Sequence, residues 1–428
     1  LPKSGSRFDL PIALAVLVAT GQLPAAALDN HEFYGELGLN GEVRHVNGLL
    51  PALLKGKAEA KTLVIPQAGL LEAALLSDSL VYGASHLLEI CRYLVEGAML
   101  NVPPPRGDAR LDYAVDLADV RGQAQAKRVL EVAASGHHSL LMVGPPGAGK
   151  SMLAQRLVTL LPPMTEQQAL ENAALRSIAG EQIGHDDFFS RRCLSPHHTS
   201  SAAAIIGGGQ NPKPGALSLA HEQILFLDEL PEFNRDVLEA LREPLETKQV
   251  NISRVKQHIS YPCNSLLVTA MNPSPSGYFA DDPRCRDTPD QIARYQRKIS
   301  GPILDRIDLH LQIPAVDVAQ LTAAVEPDAE TSAQVRARVV ASRERQLQRQ
   351  GCLNSALSVA QLDQWVALSD SAQAFLQQGI ARLGLSARSY HKILRIARTL
   401  ADMSNHAQVS NAHLAEALSY RSLERQST

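Results

Sequence analysis

The octapeptide Gly144-Pro-Pro-Gly-Ala-Gly-Lys-Ser151 limits what this chain can fold into more than any other stretch. An apolar run, Ser139–Val143, leads into it, and a helical pattern with Met152, Leu153, Leu157 and Leu160 leads out. A glycine-rich loop between a buried strand and a helix lets the backbone wrap, so that N–H groups and the helix N-terminus face phosphate groups. Gly144, Pro145, Pro146, Gly147, Ala148, Gly149, Lys150 and Ser151 are therefore the candidate nucleotide-binding residues. Lys150 supplies a point charge to the β- and γ-phosphates, and the Ser151 hydroxyl is placed to ligate Mg²⁺. The bland alternative is a glycine turn with a stray lysine.

A second motif, Ile224-Leu-Phe-Leu-Asp-Glu229, puts two carboxylates at the tip of a four-residue apolar strand. Asp228 is expected in the Mg²⁺ shell with Ser151, and Glu229 is expected to orient and deprotonate the attacking water. Glu229 turns the expectation from nucleotide binding to ATP or GTP hydrolysis. With Ser265–Ala270, the runs Ser139–Val143 and Ile224–Leu227 are short, apolar and separated by helical patterns. That alternation is the mark of a parallel sheet flanked by helices.

At 428 residues the chain is too long for one ordinary core, so two or three domains are expected. A composition 45% hydrophobic and 20% charged excludes disorder and fibres, and only 4% aromatic residues leave a core of Leu, Ala, Val and Ile. The net charge of −3 excludes a polycation, so any nucleic-acid binding must come from local patches or a pore built by several subunits. The longest apolar run, Leu10–Ala19, is about half of a membrane span, and no signal peptide is visible. Five scattered cysteines without a C-x-x-C fit a reducing cytoplasm. Because the first residue is Leu, an upstream segment is expected.

Boundaries fall at proline-rich and charge-shift points. Residues 1–99 form a first block with a hairpin read at Leu37–Val43, followed by a helix-hostile linker at 100–108. The nucleotide-binding block is placed at 109–314 and an all-helical block at 315–428. From Val335 to Thr428 there are 12 Lys or Arg against 6 Asp or Glu, and the arginine-rich helix around Arg336–Arg349 is read as a solvated face.

Four further segments resemble landmarks of AAA+ ATPases. Asp119-Val-Arg-Gly-Gln123 is similar to the adenine-proximal segment, and Ser265–Asn272 to a sensor-1 strand with Asn272 helping to place the water. Gly301-Pro-Ile-Leu-Asp-Arg-Ile-Asp308 is similar to the segment carrying an arginine finger, Arg306, that would reach a neighbouring subunit's γ-phosphate. A salt bridge to Asp305 or Asp308 is its alternative. Leu385–His391 resembles a sensor-2 helix start with Arg388 facing the nucleotide, against the alternative of a plain surface arginine. Ser195-Pro-His-His-Thr199, Gly207–Gly209, Pro214-Gly215 and Leu230–Phe233 narrow the likeness to the ComM/YifB family of magnesium-chelatase-like AAA+ proteins.

That resemblance implies the fold class: α/β, a P-loop AAA+ parallel sheet with helices on both faces, a helical lid, and an N-terminal Lon-protease-like α+β domain. It also implies an ATP- and Mg²⁺-dependent, homo-hexameric DNA helicase that drives branch migration in natural transformation. A magnesium-chelatase motor subunit or a protein remodeller is the alternative. The Lon-like first block, which a chelatase motor is expected to lack, argues against the former. Register by register, the Lon serine and lysine positions hold Arg7 and Leu50, with Ser6 one residue off, so no peptidase activity is expected.

Many relatives carry a cysteine set suited to zinc just after sensor 1; here the matching residues are Ser274, Ser276, Cys285 and Asp287, so no structural zinc is expected. His197 and His198 are given no metal role, since neighbours on a regular element face apart. Two insertions stand where such rings place pore loops. In the hairpin Gln249–His258, Arg254 and Lys256 are candidate DNA contacts, and in Ile205–Leu217 the candidate is Lys213, each weighed against plain solvation. With few aromatics there, sequence-independent contact with single-stranded or branched DNA is expected.

Overall fold

Three short strands, of which only the central one is an aliphatic run, make the sheet of the first of two units. The computed structural model describes residues 7–106, 113–184, 187–209, 212–254, 257–315 and 329–421. Ser6, Gly107, Asp108 and Lys256, singled out above, lie outside the described residues. In the first unit, β1 (His31–Phe33) pairs in parallel with β4 (Thr62–Pro66), and β4 with β5 (Val81–Ala84). Between them β2 (Glu36–Leu37) and β3 (Val43–Arg44) form the expected antiparallel hairpin. Leu63, Val64 and Ile65 of β4 are all buried, as befits a central strand covered on both faces.

This unit is discontinuous in sequence. Besides the described residues of the first 111, it takes in Met164–Ser190, which the sequence reading assigned to the nucleotide-binding block. The helix Glu166–Ala179 buries Ala169 and Ala173 in the cluster that holds Leu49, Leu50 and Leu53 of the helix Leu49–Ala58. Ser177 ties it down: its carbonyl accepts from Gly48 N at 2.7 Å, and its hydroxyl donates to the buried Glu72 carboxylate at 2.7 Å. Arg106 pairs with Glu166 at 2.8 Å and lies over the rings of Phe188 and Phe189. An Ala/Leu periodicity does not say which core it belongs to, which is why the excursion was invisible in sequence.

The second unit is built on one five-stranded parallel sheet in the order β14–β6–β13–β10–β7, where β6 is Leu140–Val143, β7 Cys193–Leu194, β10 Ile224–Leu227, β13 Leu266–Met271 and β14 Leu309–Gln312. Every residue of β6, β10 and β13 is buried, as their unbroken apolar runs require. Two antiparallel hairpins, β8–β9 (Gly207–Gly208 with Lys213–Pro214) and β11–β12 (Gln249–Arg254 with Gln257–Pro262), stand outside the sheet.

The helices Ala124–Gly136 and Lys150–Leu160 flank the sheet, and Ser332–Gln350, Asp370–Leu383, Ala387–Met403 and Asn411–Ser419 make up the all-helical end. That end shares the sheet's core: Val335, Leu376, Ile393 and Leu414 belong to the same buried cluster as Leu140, Val268 and Leu311. The arginine-rich helix is therefore not a solvated face. Arg336 donates to Thr159 O, Arg338 pairs with Glu131 and Glu330, and the buried Arg343 donates to Ala134 O at 2.8 Å. Burial, with Arg191 nearby, pulls the Arg343 guanidinium down to about 9.

Candidate active site

At the C-terminal end of β6 the chain turns between the ends of β13 and β14: Gly144 N donates to Met271 O, and Ile313 N to Val143 O. Ligands of open parallel sheets bind at such a crevice, where strand order reverses. The loop 144–149 then opens the helix Lys150–Leu160. Lys150 Nζ donates to Gly144 O at 2.6 Å, Pro145 O at 3.0 Å and Asn272 Oδ1 at 3.1 Å. Partial burial lowers the Lys150 pKa, while the nearby Asp228 and Glu229 carboxylates oppose that shift. The Ser151 hydroxyl donates to Asp228 Oδ2 at 2.7 Å, and the other oxygen of Asp228 accepts from Glu229 N at 2.9 Å. Lys150, Ser151, Asp228, Glu229 and Asn272, singled out from three separate segments, thus meet at one end of the sheet.

The donor set suits a magnesium nucleotide. Ser151 and Asp228 offer two hard oxygens side by side, and nothing lies within 4 Å of where a side chain on Gly147 would begin, which leaves that face of the loop open. Gln123, at the end of Asp119–Gln123, donates to Ala148 O at 3.2 Å, and Asp119 pairs with Arg156 at 3.1 Å, so that segment is anchored to the loop and its helix.

Two residues whose roles were missed in sequence enter here. Glu229 has left-handed backbone geometry (φ 51°), and its carboxylate lies 3.2 Å from His198 Nδ1. The rings of His197 and His198 do not face apart as expected; they lie with centroids 4.2 Å apart, because residues 197–200 close a turn rather than form a regular element, Ser200 N donating to His197 O. The second is Gly277. It presses on Pro146 of the loop, so the stretch after sensor 1 is part of the site wall. In that stretch Ser274 and Ser276 hydroxyls lie 3.2 Å apart, Ser276 N donates to Asp287 at 2.7 Å, and Ser276 Oγ lies 3.8 Å from Cys285 Sγ. The four residues matched to a zinc set are thus drawn together by hydrogen bonds. Among the described residues no group of three or more His, Cys, Asp or Glu is arranged to hold a metal.

Arg306 and Arg388 sit apart from the loop. Arg306 bonds neither Asp305 nor Asp308, the partners expected for an internal pair; it donates to Arg242 O at 3.1 Å, Pro302 O at 2.7 Å and Glu246 Oε2 at 2.5 Å. Arg388 is exposed and 3.9 Å from Asp305. Just behind them Asp308 is bound by Lys392 at 2.8 Å, a link between the Gly301–Asp308 segment and the helix Ala387–Met403.

The two insertions form one structure. Tyr261 Oη of β12 donates to Pro212 O, and Ile252 of β11 touches Gly207. A side chain on Gly215 would begin 2.4 Å from Gly207 N, so only glycine allows this approach. Lys213 is exposed on β9; Arg254 ends β11, and Lys256 follows outside the described residues. In the first unit, Leu50 is buried at the start of its helix, and Arg7 donates to Asn47 O and Gly48 O just before it. Among the described residues no helix is long and apolar enough to cross a membrane.

Comparison with known proteins agrees with this geometry. Residues 116–321 match the family model for magnesium chelatase, subunit ChlI, and 329–421 match the model of that subunit's C-terminal part. Residues 1–69 match a model described as subunit ChlI of Mg-chelatase, so the first block no longer argues against a chelatase motor. Competence protein ComM of Haemophilus influenzae is 43% identical over 430 residues, covering 99% of this chain and 84% of that protein. YifB of Escherichia coli is 42% identical over 426 residues, covering 99% of this chain and 84% of its own length. The chain belongs to the ComM/YifB family of magnesium-chelatase-like AAA+ proteins, a family membership that implies ATPase activity.

Proposed function

We propose that this protein is a cytoplasmic, ATP-driven DNA translocase that works as a homo-hexamer, moving branched recombination intermediates during natural transformation. The observation that carries the reading is the likeness to a competence protein along almost the whole chain, loops included. In the site, the backbone of Gly144–Gly149 cradles the phosphates, and Lys150 gives up its bonds to Gly144 O and Pro145 O to meet them. Mg²⁺, held by Ser151 and Asp228, supplies charge neutralisation on the phosphate oxygens when bound. Glu229 takes a proton from water as the water oxygen bonds to the γ-phosphorus and the bond to the leaving diphosphate oxygen breaks. Asn272 orients that water. Arg306, released from Glu246, stabilises charge on the phosphates of the neighbouring subunit, and Arg388 turns to the nucleotide.

The paired hairpins couple turnover to DNA. In a sixfold ring one Lys213 per subunit becomes a ring of charge that tracks phosphates without reading bases, and Arg254 and Lys256 add to it. The chelatase-motor reading is kept by the descriptions of the matching family models. ATPase rate with and without branched DNA separates the two, in the wild type, Glu229→Gln, Lys213→Ala and Lys256→Ala. The DNA motor requires stimulation by DNA that the first change abolishes and the others blunt. A rate indifferent to DNA favours the chelatase reading.

A further inference from the structure

A cavity of about 630 Å³ opens in the helical end of the second unit, lined among others by Arg345, Gln348, Trp365, Arg398, His406 and Gln408. Trp365 is the chain's single tryptophan, and it is only partly buried against the core. The charge of this cavity is unbalanced. Its one carboxylate, Asp402, is taken up by Arg349 at 2.5 and 2.9 Å, by Arg398 at 2.9 Å and by Asn354 at 2.8 Å. The Arg345 guanidinium receives none of it and, among the described residues, donates only to the Asp402 main-chain oxygen at 2.7 Å. Nε of Arg398, a residue 2% exposed, has no hydrogen-bond partner among the described residues. An indole face, an uncompensated guanidinium and neutral amides around one opening are the groups that hold a nucleotide unit: a base stacks on the ring, phosphate meets the cation, and amides bond the base edge.

We infer that this cavity is a second nucleic-acid contact, taking one nucleotide of a single strand with its base against Trp365 and its phosphate on Arg345. The choice of a strand over a free nucleotide rests on the DNA-motor reading; the chemistry of the cavity does not. Amides can pair with any base edge and an indole stacks on any base, so little sequence preference is expected.

Because Trp365 is the only tryptophan, its fluorescence reports this place alone. The test titrates this 428-residue chain with oligothymidylate, reading tryptophan quenching beside the anisotropy of the same oligonucleotide carrying a label. Saturable quenching is expected, with Kd raised about fivefold or more by Arg345→Glu and by Gln348→Glu, the latter an exposed position that keeps the fold intact. Lys213→Ala should leave the quenching amplitude unchanged. No quenching while anisotropy rises would overturn the inference, as would quenching untouched by both charge changes. Thymidine monophosphate added to the Lys150→Met variant decides the source: quenching as strong as that by the oligomer makes this a free-nucleotide site and also overturns it. DNA-stimulated ATPase without quenching removes this contact and leaves the motor reading standing. Quenching without stimulation does the reverse.

Discussion

Glu229, the residue proposed to activate water, is held by a histidine that no nucleotide motif contains. His198 Nδ1 sits 3.2 Å from its carboxylate, and a partly exposed contact of this kind contributes at most about 1 kcal/mol, and that only while the imidazole carries a proton. That is little for stability but enough to set which rotamer a flexible carboxylate occupies. His198→Ala should therefore lower kcat about threefold to tenfold with KM for ATP nearly unchanged, and His198→Asn should recover part of the loss; steady-state ATPase kinetics decide it. Gly277 belongs to the same scale. Its φ is +92°, and a side chain there would begin 2.8 Å from Pro146 of the phosphate loop. Gly277→Ala should raise KM for ATP severalfold and lower Tm by a few degrees, since strain of about 1–3 kcal/mol falls on the loop. The residues of the loop itself were legible because their chemistry depends on spacing along one segment. His198 and Gly277 were not, because their roles arise only when a turn or a neighbouring segment folds back.

Elements show the same division between what is local and what is not. The three central strands were readable within a residue at each end, since a doubly covered strand must be apolar throughout. The edge strands β7 and β14 carry Cys193 and His310 and lack that signature, so the pattern passed over them. Likewise the arginines of Ser332–Gln350 read as solvated, yet they are spent on Thr159, Ala134, Glu131 and Asp402, which lie far away in sequence. The segment Gly301–Asp308 carries the clearest functional consequence. Its Arg306 is locked to Glu246 at 2.5 Å, so action on a neighbouring subunit requires that pair to open. Glu246→Gln should accordingly raise the ATPase rate about twofold to fivefold at a fixed chain concentration, the kinetic equivalent of up to about 1 kcal/mol. Arg306→Ala should abolish the rise. A rate independent of chain concentration in both proteins would remove the action in trans.

On the scale of the whole molecule, stability should depend on pH through histidines buried beneath the sheet edge. His310 on β14 is 3% exposed, and neither ring nitrogen has a hydrogen-bond partner among the described residues. Burial, reinforced by the charges of Arg421 and Lys392 against the opposing Asp308, holds its pKa well below the usual imidazole value of 6.5. His137, whose Nε2 is enclosed, is lowered in the same way, by burial first and Arg343 next. The unfolded chain binds protons near pH 6.5 that the folded chain refuses, so stability falls as pH drops below about 6.5, by about 1.4 kcal/mol per pH unit for each such histidine. Asp308 acts in a different window. Burial alone would raise its pKa, but Lys392 and His138 outweigh burial and hold it well below the usual carboxylate value of 3.8. Its contribution is present above about pH 4 and is lost only as the pH falls further. Between pH 6.5 and 4.5 the histidines thus act without it. His310→Leu removes no hydrogen bond from the ring and keeps the strand apolar, so it should leave stability at pH 8 within about 1.5 kcal/mol of wild type. It should flatten the decline between pH 6.5 and 5 by about 1.4 kcal/mol per pH unit. Urea midpoints measured across that range check both outcomes; an unchanged slope would show that the folded protein protonates His310 as readily as the unfolded chain does.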